Sequence, residues 1–423
     1  MSQRTWLLPL AACLWAVWSA AQAVPPPVLE IAFEGNRVTR ASVLRQELLI
    51  REGDPADPGA IEASRQSLMN LGLFKDVRAE TASVEGGVVL TYHLAEKYFY
   101  FVLPRLSRSA DGDLRYGGEV RADNVFGLNH RLRLRFDIDE AASGTEQRDE
   151  RLSLGYRVAR VPGTRFGAGL DLGMGDRTKS PSGGNDSDRY RERYRYTGLS
   201  LSRWLDRRGP SRGWRLDTGV RWESRRYQAL DSEAELPDAG EDVSWRVGVR
   251  FTDVADLGVR REGVEYGGGV TLGVPDLGAN RDHQRFDLFY RRYRGLGGEL
   301  PSNLNYQVRA GWANDTPFGQ TAYSVGDSSS LRGYKRDYRE GDVRLLLNME
   351  YLRPLFGNPN VRGVLFADAG GVWPSNDVDL SDMLASAGIG LRVNLRWFVS
   401  TELRVDAAYG DEGRVYVGTS HTF

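Results

Sequence analysis

From Tyr98 to the end of the chain, apolar and polar residues alternate with a period of two. The run from His130 to Asp139 is the clearest case. Leu132, Leu134, Phe136 and Ile138 alternate there with Arg131, Arg133, Arg135, Asp137 and Asp139. Trp214, Leu216, Thr218, Val220 and Trp222 alternate in the same way with Arg215, Asp217, Gly219 and Arg221. This period marks a strand with two unlike faces. A soluble sandwich is excluded, because its inner side would bury these charges without partners. A closed barrel with lipid outside and water inside accepts both faces. About sixteen strands are expected, over residues 99–107, 114–124, 130–139, 150–159, 164–175, 189–203, 212–225, 242–253, 264–273, 282–294, 302–313, 342–354, 361–372, 384–394, 396–409 and 413–423. The even number suits a bacterial outer-membrane barrel.

Loop lengths give a second test of the pattern. With a periplasmic amino terminus, turns after even strands are short and loops after odd strands are long. Val125 to Asn129, Val161 to Gly163 and a tight Asn394-Leu395 connection fall on the short side. Glu140–Asp149, Asp176–Asp188 and Arg226–Glu241 fall on the long, external side. The stretch after residue 253 is longer than the rule prefers, and Asp111-Gly112-Asp113 and Gly410-Asp411-Glu412 are short external loops. Asn314 to Gly341 becomes external loop six, long and rich in glycine and polar residues. Loops of that length without structure of their own are usually functional.

Before residue 98 the pattern changes. Residues 1–23 read as a signal peptide: Arg4, an apolar stretch from Trp6 to Ala20, then Ala21-Gln22-Ala23 as a small-x-small cleavage site. Leu10-Ala11-Ala12-Cys13 is a competing lipoprotein box. Residues 27–96 read as a small α+β domain of order β-α-α-β-β. A strand spans Val28 to Phe33, and Thr39 is placed to cap a helix through Leu49. Asp57 caps a second helix that has Pro58 at its first position. Strands from Phe74 to Thr81 and Val88 to Leu94 flank Glu85-Gly86-Gly87. The phrase Leu68-Met69-Asn70-Leu71-Gly72-Leu73-Phe74-Lys75-Asp76-Val77 resembles the helix-to-strand corner of a POTRA domain. There Gly72 permits a left-handed exit from the helix and Phe74 plugs the gap between helix and sheet.

Composition narrows the function classes. The net charge of −1 gives no global field toward nucleic acid. Arg-rich runs such as 189–195 contain interleaved acids and fit a solvated lumen better than a nucleic-acid surface. Cys13 is the only cysteine, so thiolate metal sites are excluded and no cofactor is expected. His93, His130, His283 and His421 are scattered. No Ser-His-Asp, paired-carboxylate or Gly-x-Ser-x-Gly arrangement stands out, so the chain is not expected to be an enzyme.

Three stretches late in the chain carry more information. Loop six holds Leu331-Arg332-Gly333-Tyr334, strand thirteen holds Phe366-Ala367-Asp368-Ala369-Gly370, and strand twelve holds Asn348-Met349-Glu350-Tyr351-Leu352-Arg353-Pro354. Gly388-Ile389-Gly390-Leu391-Arg392 follows on strand fourteen, and the chain ends in Phe423. Together these resemble the BamA/TamA superfamily of POTRA-plus-barrel outer-membrane proteins, in a single-POTRA form. By parity Phe366, Asp368 and Gly370 share the lumen face. Arg332 then has Asp368 or Glu350 as an acceptor for its fork of N–H groups. Gly370 and Gly371 offer a flat patch for Tyr334.

The resemblance implies an outer-membrane protein, with its first domain in the periplasm, that inserts outer-membrane proteins or passes polypeptide across the membrane. Its implied partners are outer-membrane lipid, unfolded outer-membrane or secreted polypeptide, and periplasmic accessory proteins. Loop six is expected to fold into the lumen and be pinned there. The alternative is a passive channel or anchor barrel without assembly activity.

Overall fold

The computed structural model describes residues 25–108, 114–140, 148–179, 189–206, 212–231, 236–297, 301–319, 321–395 and 402–418. The amino-terminal domain contains β1 (Val28–Glu34), α1 (Ala41–Arg45), α2 (Pro58–Asn70), β2 (Phe74–Val84) and β3 (Gly87–Glu96). Its sheet has the order β1-β3-β2, with β1 parallel to β3. Asp57 caps α2 by accepting the Ala60 N–H at 2.8 Å. Gly72 leaves the helix at φ +73°, and Phe74 is buried among Val43, Leu44, Leu68 and Leu90. Thr39, however, does not cap a helix. Its hydroxyl and backbone N–H donate to Glu96 at 2.5 and 2.7 Å, and Arg40 precedes an α1 of only five residues. A carboxylate 57 positions away outcompetes local capping.

The protein is mainly β. Sixteen antiparallel strands form a nearly closed barrel, running from strand one (Tyr100–Arg108) to strand sixteen (Gly413–Gly418). Outward positions are apolar and solvent-accessible in the isolated chain, as at Leu288, Leu365 and Ile389. The neighbours of those positions point inward and pair charges, as Arg105 does with Asp137 at 2.8 Å. Among the described residues no helix is long and apolar enough to cross a membrane; the strands make the crossing.

Several boundaries move. Strand eight (Gly240–Asp256) and strand nine (Arg261–Gly273) are longer than expected, so only residues 257–260 join them. The exception to the short-turn rule disappears. Strand fourteen (Leu384–Asn394) pairs Asn394 with Glu402 of strand fifteen (Glu402–Tyr409), a register that a tight turn at Asn394-Leu395 does not allow. The Asp111-Gly112-Asp113 loop and Phe423 lie outside the described residues.

The amino-terminal domain is bonded directly to the periplasmic turns of the barrel. The Arg40 backbone N–H donates to the Gly127 carbonyl at 3.0 Å, and Asn124 donates to the Thr39 hydroxyl at 2.9 Å. Leu128 packs on the domain's core. Arg160, in the next turn, donates to Glu47 at 3.3 Å. Burial pushes the Glu47 carboxyl up to about 8, with Arg160 offsetting only part of that rise. The folded value exceeds the unfolded one, so this group's contribution to stability is fully present below the usual carboxylate range and is lost as pH rises toward 8. Glu47→Gln is therefore expected to stabilise the folded chain at pH above 8 and to flatten its pH dependence from about 4.5 to 8, in urea melts followed by tryptophan fluorescence. Parallel curves for the two proteins would refute this.

Candidate functional site

External loop six runs from Asn314 to the start of strand twelve (Val343–Leu355). Its base is a short hairpin, Tyr323–Val325 against Arg339–Gly341. Its tip is tightened by Asp327, which accepts the backbone N–H groups of Ser329 and Ser330, each at 2.7 Å. That turn presents Leu331 to Tyr334, all buried, to the inner faces of strands twelve to sixteen. Leu331 packs with Ala313, Tyr323, Val325, Leu346 and Val372 in an apolar cluster at the head of the loop.

Arg332 has no solvent exposure. Its Nε and Nη2 donate to the two oxygens of Asp368 at 2.7 and 2.8 Å. Asp368 lies on strand thirteen (Asn358–Trp373). Nη1 donates to Glu350 at 2.6 Å and to Asp406 at 3.1 Å. The Phe366 ring stacks under the guanidinium, 3.5 Å from Cζ to the ring centroid. This is the planar, bidentate geometry that arginine satisfies and lysine does not.

The sequence reading reached Arg332, Asp368, Glu350 and Phe366 but missed the rest of the cluster. Arg392 donates to both Asp406 and Glu350, the latter at 2.9 Å, and Arg404 lies 3.4 Å from Asp406. Three guanidinium groups thus face three carboxylates, and the buried cluster is neutral. Asn348 bridges the loop to the wall, donating to the Ser330 carbonyl at 2.7 Å and to Asp368 at 2.8 Å. Inward parity on strands fourteen and fifteen was the available signal for Arg392, Arg404 and Asp406.

Gly333 and Tyr334 reach further, to the last hairpin. The Gly333 N–H donates to the Tyr416 hydroxyl at 3.0 Å, and its carbonyl accepts from Asp411 and Glu412 at 3.1 and 3.3 Å. Tyr334 does not lie on Gly370 and Gly371. The space beside Gly370 is taken by the Leu345 carbonyl and Leu346. Tyr334 instead lies against Gly410 and donates to the Ala385 carbonyl at 3.0 Å. The arrangement ties a loop to a wall; among the described residues it assembles no metal-binding group.

The model of the Omp85 superfamily domain matches residues 124–423, and a POTRA model described as a surface antigen variable number repeat matches residues 26–97. The outer membrane protein assembly factor BamA of Neorickettsia risticii is 25% identical over 159 residues, 37% of this chain and 20% of that protein. BamA of Nitratidesulfovibrio vulgaris is 34% identical over 70 residues, 16% of this chain and 9% of that protein. The matches span a fifth or less of these relatives' own length. CdiB from Escherichia coli superposes with a TM-score of 0.67 at 18% identity, covering 93% of this chain and 76% of that one. BamA from Haemophilus ducreyi lacking POTRA domains 1-3 superposes at 0.55 and 18% identity, covering 93% and 84%. At such identities the likeness concerns the fold.

Proposed function

The chain belongs to the Omp85 superfamily, an outer-membrane barrel with a periplasmic POTRA domain, and we propose that it inserts or translocates polypeptide by pairing it at the seam between barrel strands one and sixteen. The observation that carries this reading is the seam itself. The sheet runs continuously from strand one to strand sixteen, and among the described residues no ladder of hydrogen bonds joins those two ends. An unpaired strand edge is a template for another strand. Residues flanking the seam face lipid: Val102 is 70% exposed and Val415 53% exposed in the isolated chain.

Loop six, folded into the lumen, has two roles in this reading. It keeps the lumen from being an open pore, and it holds strand sixteen in place through Tyr416. The clients are unfolded outer-membrane or secreted polypeptides, delivered past the POTRA domain with or without periplasmic accessory proteins. The reaction exchanges hydrogen bonds and needs no covalent chemistry.

A photoreactive residue at Val415 tests this in cells making outer-membrane proteins. Crosslinks to newly made polypeptide are expected from Val415 and not from Leu288, which faces lipid far from the seam. Equal capture at both positions, or none at Val415, would sink the reading. A steady, large conductance in planar bilayers would favour the passive channel instead.

A further inference from the structure

Residues 257–260 reach across to distant strands of the barrel. They join strands eight and nine, yet the carbonyls of Gly258 and Val259 are held by strands fourteen and thirteen. Asn394 Nδ2 donates to the Gly258 carbonyl at 3.1 Å, and Arg362 Nη1 donates to the Val259 carbonyl at 3.2 Å. Strand fourteen is five places from strand nine in the sheet order. With neighbouring strands about 4.8 Å apart, the path along the wall is about 24 Å. A turn of four residues that makes these bonds crosses the mouth of the lumen and does not follow its rim. Arg362 anchors the far side, because its Nη2 also donates to the Pro301 carbonyl at 3.1 Å and to Asn303.

The near side of the same turn is tied to the POTRA domain. Gln66 and Asn70 lie one turn apart on α2. The Gln66 side-chain amide donates to the Asp256 carbonyl at 3.0 Å, and Asn70 Oδ1 accepts the Asp256 N–H at 2.8 Å. Asp256 Oδ1 in turn accepts the Gly258 N–H at 2.9 Å, which stiffens the start of the turn. One short segment is therefore gripped by a periplasmic helix on one side and by the opposite barrel wall on the other.

We propose that residues 257–260 form a periplasmic stopper, which closes the lower mouth of the lumen and is held shut by α2 of the POTRA domain. Loop six closes the external end and this turn the periplasmic end, so the lumen is a chamber with two separate closures. The holding bonds are single hydrogen bonds to backbone groups, few enough that a swing of the POTRA domain releases the turn. The inference concerns access to the lumen and does not depend on what the barrel carries.

The test uses the full-length chain in lipid nanodiscs, with Cys13→Ser and Thr252→Cys. Thr252 lies on the inward face of strand eight, above the turn, and neighbours Glu265. The readout is its rate of reaction with a maleimide carrying a long polyethylene glycol chain. Asn394→Asp places a carboxylate against the Gly258 carbonyl, and the pair Gln66→Ala and Asn70→Ala frees the turn from α2 without touching the barrel. Asn394→Asp is expected to raise the rate about tenfold, the factor for losing one net hydrogen bond, and the Gln66→Ala/Asn70→Ala pair, which removes two, by at least as much. Folding of every variant is checked by the heat-sensitive gel mobility of an intact barrel. Unchanged rates in both folded variants would overturn the stopper. Acceleration by Asn394→Asp alone would overturn the role given to α2.

Discussion

Arg332→Ala is expected to destabilise the barrel by about 3–5 kcal/mol, the cost of breaking a buried ion pair from one side. The cause is charge bookkeeping within the cluster. With Arg332 removed, Glu350, Asp368 and Asp406 face only Arg392 and Arg404, and one buried negative charge has no partner. The two oxygens of Asp368 keep the Asn348 amide at 2.8 Å and the backbone N–H of residue 332 at 3.3 Å but lose the whole guanidinium fork. Phe366 also loses the cation stacked on it. Arg332→Lys restores the charge but not the fork, so it recovers part of the loss and not all. Asp368→Asn leaves the opposite imbalance and should be comparably damaging. The double variant Arg332→Ala with Asp368→Asn has two charges of each sign and should be more stable than either single variant. Urea unfolding in lipid vesicles, followed by tryptophan fluorescence, measures all four. Additive losses in the double variant would show that charge balance is not what holds the loop.

The separate legibility of the wall and of the cluster has a physical cause. The faces of strands twelve and thirteen follow from a period of two, which needs no knowledge of the neighbouring strand. Parity alone therefore placed Asp368 and Phe366 inward. Asp406 required register as well as parity. A turn at Asn394-Leu395 sets one pairing between strands fourteen and fifteen, whereas the observed hairpin pairs Asp406 with Gly390 and brings it to Arg392. Shifting a hairpin's centre shifts every cross-strand partner. Thr39 failed for a related reason, since local capping chemistry cannot report a carboxylate at Glu96. The turn at 257–260 was misjudged in length because strands eight and nine keep pairing past the last clear alternation, from Val254 opposite Gly263 to Asp256 opposite Arg261.

Gly333→Ala is expected to release loop six from the last hairpin while leaving the charge cluster intact. Gly333 sits at φ +88°, where a side chain costs about 1–2 kcal/mol. A Cβ there would also lie 2.6 Å from the Gly410 nitrogen and 2.9 Å from the Tyr409 carbonyl carbon. Both are backbone atoms, so no rotamer change relieves the overlap. The hairpin must move away, and the bonds from Asp411 and Glu412 to the Gly333 carbonyl lengthen with it. Each contributes about 1 kcal/mol net, so with the backbone strain the total loss is about 3–4 kcal/mol. Tyr416→Phe is the milder companion. It keeps the ring but removes the acceptor for the Gly333 N–H and the donor to the Tyr334 carbonyl. Hydrogen–deuterium exchange separates the two outcomes, because each bonded amide reports its own release. In Gly333→Ala the amides of Asp411 and Glu412 should exchange at least about tenfold faster. In Tyr416→Phe the Gly333 amide should accelerate while those two stay slow. Wild-type exchange at all three amides in both variants would mean that loop six does not restrain the strand that borders the seam.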